Sequence, residues 1–191
     1  MRCHCSDFCI LKGNGYNLNI LFFWCFTLRR ELEDINSAIT RFLSRREHSE
    51  YELVNKLAHK GYESNDIRPA LDKFKQANIL SDVRFAESRI RDRAYKGYGE
   101  YWIRQELKQH QLSEDVIEQA FIEEPQDWFE IAKSWMSKKY ARQAELLQDD
   151  WKKLQKAKGT ARNRGFSQEQ INYALECLFN DAEEDNLTGF N

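Results

Sequence analysis

The feature of this chain that most constrains its fold is an internal repeat with a period of fifty residues. Residues 49–71 (SEYELVNKLAHKGYESNDIRPAL) align without a gap onto residues 99–121 (GEYWIRQELKQHQLSEDVIEQAF). A weaker third copy at 164–175 (RGFSQEQINYAL) aligns with the first after a shift of 104 residues. Such self-similarity is typical of tandem units, each of which completes its core partly against its neighbours.

The apolar spacing within the copies predicts helices. Pairs four residues apart stack on one helical stripe; they are Leu53 and Leu57, Ile103 and Leu107, Ile67 and Leu71, and Ile117 and Phe121. A further amphipathic stretch precedes each copy, with apolar residues Ala38, Ile39, Phe42 and Leu43, then Phe85, Ala86 and Ile90, then Trp128, Ile131, Ala132 and Trp135. With only 8 Gly and 2 Pro in the chain, the composition also favours helices.

We therefore predict an all-α fold of three tandem three-helix repeats that form an elongated, curved rod. The repeats are expected at 37–81, 82–124 and 126–180, with an insertion in the third around 141–158. Candidate helix caps are Ser49 with Glu52, Ser113 with the acids after it, and Ser167 with Gln170. Gly61 and Gly165 lie where helices should end. Pro69 is tolerated only in a first turn, so its helix is expected to start near Asp66.

Two terminal segments fall outside the repeats. Residues 1–36 contain CHCSDFC, which is a weak candidate metal site because it lacks paired C-x-x-C motifs. They also contain the apolar run LNILFFWCFTL at 18–28, which is shorter than the roughly 20 residues of a membrane span. Arg29 and Arg30 follow this run where an export signal would have small residues. We interpret residues 1–36 as a packed or disordered extension or a start assigned too far upstream, and 181–191 as an acidic tail.

The stretch RDRAYKGYGEYWIRQELK at 91–108 mixes bases with aromatic residues around Gly97-Tyr98-Gly99. A phosphate-binding loop would need a preceding strand and a following Lys-Ser or Lys-Thr, and neither is present. Because Gly99 aligns with the predicted cap Ser49, we interpret Gly-Tyr-Gly as a tight turn between two helices.

Basic and aromatic residues flank this turn and suit a phosphate backbone. The alternative is an ordinary solvated surface, with Trp102 closing the edge of a bundle. Arg84, Arg89, Arg91, Arg93 and Lys96 precede the turn, whereas Trp102, Arg104 and Lys108 follow it and replace Glu52, Val54 and Ala58 of the first copy.

No set of residues with catalytic spacing is recognisable, and no cofactor is expected. Charge is segregated along the chain despite a net charge of −2. Residues 114–130 carry seven acids and no Lys or Arg, and residues 131–165 carry ten bases against three acids. Such patches of both signs suit an extended partner.

Two strings carry a family resemblance: FLSRREHSEYELVNKLAHKGY at 42–62 and ILSDVRFAESRIRDRAYKGYGEYWIRQELKQHQLSEDVIEQAF at 79–121. They resemble the RecX family of bacterial recombination regulators over residues 38 to 180. The resemblance implies a cytoplasmic modulator that binds the RecA filament on single-stranded DNA and limits recombinase, ATPase and coprotease activities. We expect a monomer without membrane contact.

The resemblance also implies functional positions, of which Arg45, Arg46, Arg84 and Tyr98 are candidate filament contacts. The other motif residues are His48, Glu52, Leu53, Asp82, Phe85, Ala86, Gly97, Gly99, Ile103, Glu106 and Leu107. Two rival hypotheses stay open: a general helical nucleic-acid-binding module without a recombinase partner, and a helical scaffold for some other protein.

Overall fold

The computed structural model describes residues 33–188, with side chains to residue 182. Within this range the chain forms helices and turns and no strand. The helices are α1 (Ile35–Leu43), α2 (Glu50–His59), α3 (Ser64–Gln76), α4 (Asp82–Tyr95), α5 (Glu100–Gln109), α6 (Glu114–Glu123), α7 (Trp128–Tyr140), α8 (Ala144–Asp149), α9 (Trp151–Asn163) and α10 (Gln168–Thr188). The interpretation of residues 1–32 lies outside the described residues, and α10 continues into the predicted acidic tail as far as Thr188.

Three clusters of buried side chains correspond to the three predicted repeats. Helices α1–α3 enclose the first cluster, α4–α6 the second and α7–α10 the third. Equivalent positions are buried in the first two copies, at Leu53 and Ile103, Leu57 and Leu107, and Ile67 and Ile117. The all-α fold of three tandem three-helix units is confirmed. The elongated, curved shape and the repeat boundaries stay predictions.

The predicted helix caps are confirmed. The Ser49 hydroxyl accepts a hydrogen bond from the Glu52 amide at 3.1 Å, and the Ser113 hydroxyl accepts one from the Val116 amide at 3.4 Å. At the start of α10 the capping box is complete, since Ser167 and Gln170 exchange hydrogen bonds of 3.2 and 2.8 Å. These caps satisfy amides that have no partner within their own helix.

The predicted start of α3 is wrong. The helix begins at Ser64, so Pro69 lies inside it rather than in the first turn. Proline cannot donate to the carbonyl four residues earlier, which here belongs to Asn65. Both Asn65 and Pro69 are exposed, and water can therefore satisfy the carbonyl that lacks its partner.

The third unit contains an insertion, which is shorter than the predicted 141–158 because α9 already begins at Trp151. A short 3-10 turn at Ala141–Gln143 and helix α8 lie between α7 and α9. Ala144 and Leu147 of this insertion are buried in the third core. The insertion is therefore part of the packing of the unit, and α9 is the counterpart of α2 and α5.

The first two units are joined by polar contacts across the junction. The Glu50 amide donates to Asp82 Oδ1 at 2.9 Å, and Arg84 Nε donates to Glu47 Oε1 at 3.1 Å. The start of α2 is thus linked to the start of α4.

The second and third units meet through backbone. The Gly99 amide donates to the Arg164 carbonyl at 2.8 Å, and the Tyr101 amide donates to the Gly165 carbonyl at 3.3 Å. A Cβ atom on Gly99 would lie 2.3 Å from the Gly165 carbonyl oxygen, and one on Gly165 would lie 2.4 Å from the Trp102 amide nitrogen. Close approach at this junction therefore requires glycine on both sides.

Candidate filament and nucleic-acid interface

The predicted contact residues occupy three places in the fold. Arg45 and Arg46 lie in the loop between α1 and α2. Most of the others lie on α4 or in the turn that follows it, and Trp102, Arg104 and Lys108 lie on α5. The structure brings Arg46 and Arg89 together around a shared carboxylate, whereas Arg104 and Lys108 face the acids of α6. The candidates therefore form several small groups.

Glu52 is the shared carboxylate of the first group. Arg46 donates to both of its oxygens at 2.9 and 2.8 Å, and Arg89 Nη2 lies 3.7 Å from Oε1. His48 Nδ1 lies 2.6 Å from Oε2. Burial raises the pKa of Glu52, but the hydrogen bonds from Arg46 and His48 outweigh burial and lower it to about 2.

His48 is buried within this group, with Lys56 Nζ 3.3 Å from its Nδ1 and the Phe42 ring at 5.9 Å. Burial lowers the pKa of His48, although the hydrogen bond to Glu52 opposes this shift. A neutral imidazole with its proton on Nδ1 can donate to Glu52, so the short contact does not require a charged ring.

The Arg84 guanidinium forms four hydrogen bonds within the protein. Besides Glu47, it donates to the Asn78 side-chain oxygen at 3.0 Å and to the carbonyls of Asn78 and Ile79 at 3.0 and 2.9 Å. These bonds hold the turn between α3 and α4 against the first unit. Arg84 thus has a structural role that competes with its predicted role as a filament contact.

The Gly-Tyr-Gly turn carries an aromatic group. Tyr98 and Trp102 stack with ring centroids 4.2 Å apart. The Arg93 guanidinium lies 5.5 Å from the Trp102 ring and is held by Glu106 at 2.6 and 2.7 Å. Arg164, from the third unit, lies 4.5 Å from the Tyr98 ring. Both aromatic residues are half-buried against the second core, so they close the edge of a bundle.

The remaining bases of the second unit also have acidic partners. Arg104 contacts Glu100 at 2.8 Å and Glu118 at 2.7 Å. Lys96 contacts Asp92 at 2.8 Å, Lys108 contacts Glu114 at 2.9 Å, and Arg91 pairs with Glu124. Arg91, Lys96 and Lys108 are about half exposed. Arg45 is exposed and forms no ion pair within the described part of the chain.

Sequence reasoning missed Arg164. Its guanidinium donates to the Lys96 and Gly97 carbonyls at 3.1 and 3.4 Å, and it packs on Tyr98 and on Trp135 of α7. Its one sequence signal is its place at the C-cap of α9, next to Gly165. Arg164 thereby links the Gly-Tyr-Gly turn to the third unit.

Neither a metal centre nor a membrane segment is found in the described residues. No group of three or more His, Cys, Asp or Glu side chains is placed to hold a metal ion. No helix among them is long and apolar enough to cross a bilayer. The site is therefore a surface of charged and aromatic side chains.

Comparison with known proteins identifies the family. The models of the first, second and third three-helix domains of RecX match residues 37–74, 81–120 and 126–175, in that order. The chain belongs to the RecX family. Each domain match falls on one of the three cores described above.

Similar proteins agree with the assignment. "Regulatory protein RecX" of Vibrio parahaemolyticus is 48% identical over 72% of this chain and 87% of that protein. The protein of the same name from Legionella pneumophila is 37% identical over 69% of this chain and 85% of its own length. A crystal structure of RecX from Lactobacillus salivarius has a TM-score of 0.62 at 21% identity, covering 75% of this chain and 94% of that one. Another RecX crystal structure has a TM-score of 0.63 at 22% identity over 87% of this chain and 82% of that one, so the two share this fold.

Proposed function

We propose that this protein binds the RecA filament on single-stranded DNA, in its groove or at its end, and limits its recombinase, ATPase and coprotease activities. The observation that carries the proposal is the ordered match of all three RecX domains to three cores of one chain. The relatives named above are regulatory proteins, which favours regulation over catalysis. The protein would act in the cytoplasm as a monomer.

Several weak contacts on linked units would explain preference for a filament over free subunits. When one unit of a linked chain binds the filament, the next unit is held at a high effective concentration near its own site. The overall affinity for the filament then exceeds the affinity of any single unit. The backbone contacts of Gly99 and Gly165 and the ion pairs of Arg84 and Arg89 tie the units together. Such a protein could occlude the second-strand site or cap a growing end.

Among the predicted bases of the second unit, the half-exposed Arg91, Lys96 and Lys108 are best placed to meet a partner. Each already holds a carboxylate, so binding a phosphate would exchange one anion for another. The carboxylates released from these ion pairs could then contact basic residues on the protein surface of the filament. We propose that these three residues, with Arg45 and Tyr98, contact the filament.

The decisive experiment measures the single-strand-dependent ATPase of RecA with this protein added below stoichiometry. We expect inhibition, because one bound molecule affects several subunits of a polymer. A general nucleic-acid-binding module would inhibit only when it saturates the DNA, and a scaffold for another protein would not inhibit at all. Either of those results contradicts the proposal.

A further inference from the structure

Helix α9 differs from the rest of the molecule in its charge. Its 13 residues, WKKLQKAKGTARN, include five Lys or Arg and no Asp or Glu. Lys152, Lys156 and Arg162 are exposed and form no ion pair with any residue from 33 to 182. Every basic side chain discussed above on α4 and α5 has a carboxylate within 4 Å. An anion could therefore bind Lys152, Lys156 and Arg162 without displacing a carboxylate, whereas Lys153 pairs with Asp150.

These bases share one face of the helix. Residues four, seven and eleven positions apart lie on one stripe of an α-helix. Lys152, Lys156, Gly159 and Asn163 have this spacing, and Arg162 flanks them, whereas Ala157 and Ala161 face the core. We call Lys152, Lys156, Gly159, Arg162 and Asn163 the α9 face. It runs along a helix about 20 Å long.

Two residues of the α9 face are unfavourable for a helix at their positions, and no contact within the protein explains them. Glycine inside a helix is about 1 kcal/mol less favourable than alanine, yet a Cβ atom on Gly159 would meet nothing within 4 Å. Lys152 lies in the first turn, where the helix dipole disfavours a positive charge. Local exceptions of this kind concentrate where a protein meets a partner. A glycine between two bases lets an extended chain approach the helix closely.

Exposed aromatic rings lie beside this face. Trp151 begins α9 and is 67% exposed, and Tyr101 of α5 is also 67% exposed. Tyr101 lines a groove of about 390 Å³ together with Arg162, Phe166 and Gln170. Arg162 donates to Gln168 at 2.9 Å and belongs to both the groove and the α9 face. Positive charge and an exposed ring therefore occur together at both ends of α9.

We infer that the α9 face and the groove beside Tyr101 form a binding surface for single-stranded nucleic acid. The bases of α9 would contact successive phosphates, and Trp151 and Tyr101 would stack on unpaired bases. Aromatic rings among basic side chains are typical of proteins that bind single strands, because the rings stack on nucleobases. An acidic protein segment would pair with the basic side chains but would not require two exposed rings. The inference rests on the proposed function and locates its DNA contact on the third unit.

The experiment measures binding of fluorescein-labelled oligothymidylate to the full chain by anisotropy across a range of salt concentrations. We expect the Lys152→Gln/Lys156→Gln variant to bind at least tenfold more weakly. Its slope of log affinity against log salt should be shallower by about 1.4, since each phosphate contact on a single strand contributes about 0.7. Equal affinity and equal slope for wild type and variant would overturn the inference.

A matched control removes the same charge elsewhere. Arg68 and Lys73 of α3 are exposed and form no ion pair in the described range, so Arg68→Gln/Lys73→Gln should bind like wild type. An equal loss in this control would mean that only net charge matters, and would overturn the inference. Poly-glutamate serves as a competitor. If its binding is weakened by Lys152→Gln/Lys156→Gln as much as oligothymidylate binding is, the surface is not specific for nucleic acid and the inference is overturned.

Gly159→Gln separates binding from folding. Glutamine is a better helix former than glycine and has open space here, so the melting temperature should rise. The added side chain should hold the strand away from α9 and weaken oligothymidylate binding several-fold. Unchanged binding by a more stable variant would contradict close approach at Gly159 and overturn this part of the inference.

The RecA ATPase assay, run in parallel, distinguishes this inference from the proposed function. If wild type inhibits the ATPase and the α9 variant binds oligothymidylate normally, the DNA surface lies elsewhere and the proposed function stands. If wild type binds oligothymidylate through α9 without inhibiting the ATPase, the surface is confirmed and the proposed function fails.

Discussion

At the scale of single residues, arginines join the first two units through carboxylates from the first. Arg84 contacts Glu47 at 3.1 Å, and Arg89 lies 3.7 Å from Glu52. Arg84 additionally satisfies two backbone carbonyls of the turn before α4. A hydrogen bond that involves a charged group contributes about 1.5–3 kcal/mol, which is more than a neutral one contributes. The bases that look most like a DNA-binding run in the sequence therefore have structural partners.

We predict that Arg84→Gln lowers the free energy of unfolding by roughly 1–3 kcal/mol, because the turn between α3 and α4 loses the hydrogen bonds that the guanidinium donates to it. Arg91→Gln is the matched control, since Arg91 is 55% exposed and an exposed ion pair contributes about 0–1 kcal/mol. Chemical denaturation of the two variants measures the difference. Normal stability of Arg84→Gln, combined with lost filament inhibition, would instead support the predicted contact role.

At the scale of elements, helix ends determine how the second and third units meet. The C-terminal end of α9 packs against the N-terminal end of α5, with Gly165 at φ +90° and Gly99 as the N-cap. Arg164 and Gly165 supply carbonyls to the amides of α5. The junction thus uses backbone groups that a helix start leaves without partners.

We predict that Gly165→Ala is far more destabilising than Gly61→Ala. Both glycines have a positive φ, near +90°, which costs alanine about 1–2 kcal/mol. A Cβ on Gly61 meets nothing within 4 Å, whereas one on Gly165 lies 2.4 Å from the Trp102 amide nitrogen. The added clash should cost about 1–3 kcal/mol more. Thermal unfolding of both variants measures this difference, and equal losses would contradict close packing at the junction.

Helix positions could be predicted from the sequence because their signals are local. The stripe of Leu53 and Leu57 and the cap at Ser167 depend on residues within one or two turns. The junctions depend on partners far apart: Arg84 and Glu47 are 37 residues apart, and Arg164 and Lys96 are 68 apart. No periodicity encodes such pairs. The sequence therefore overestimated how many basic side chains of α4 are available to a partner, because it could not show the carboxylates that pair with them.

At the scale of the whole described chain, three titratable groups respond to acid in the same direction: the buried His48 and the partly buried His110 and Glu52. Burial lowers the pKa of His48 and of His110, which packs on Phe85 with ring centroids 5.1 Å apart. The pKa of Glu52 is lowered to about 2. From its ordinary value of 4.5, that shift corresponds to a stabilisation on the order of 3 kcal/mol at neutral pH.

We predict that the free energy of unfolding falls continuously as the pH is lowered from 7. Below about pH 6.5, the ordinary pKa of histidine, the unfolded chain binds more protons than the folded chain, and each histidine can contribute up to about 1.4 kcal/mol per pH unit. Below about pH 4.5 the stabilisation from Glu52 is lost, as the unfolded carboxylate takes its proton first. Denaturant unfolding at a series of pH values measures the slope.

His110→Gln should reduce that slope between pH 7 and 5, because a histidine whose pKa is lower in the folded than in the unfolded chain has been removed. A slope equal to that of the wild type would mean that the pKa of His110 is not lowered in the folded chain, and would contradict the prediction. Since His110 packs on Phe85 of the second core and His48 on Phe42 beside the first, loss of stability in acid would involve both units together.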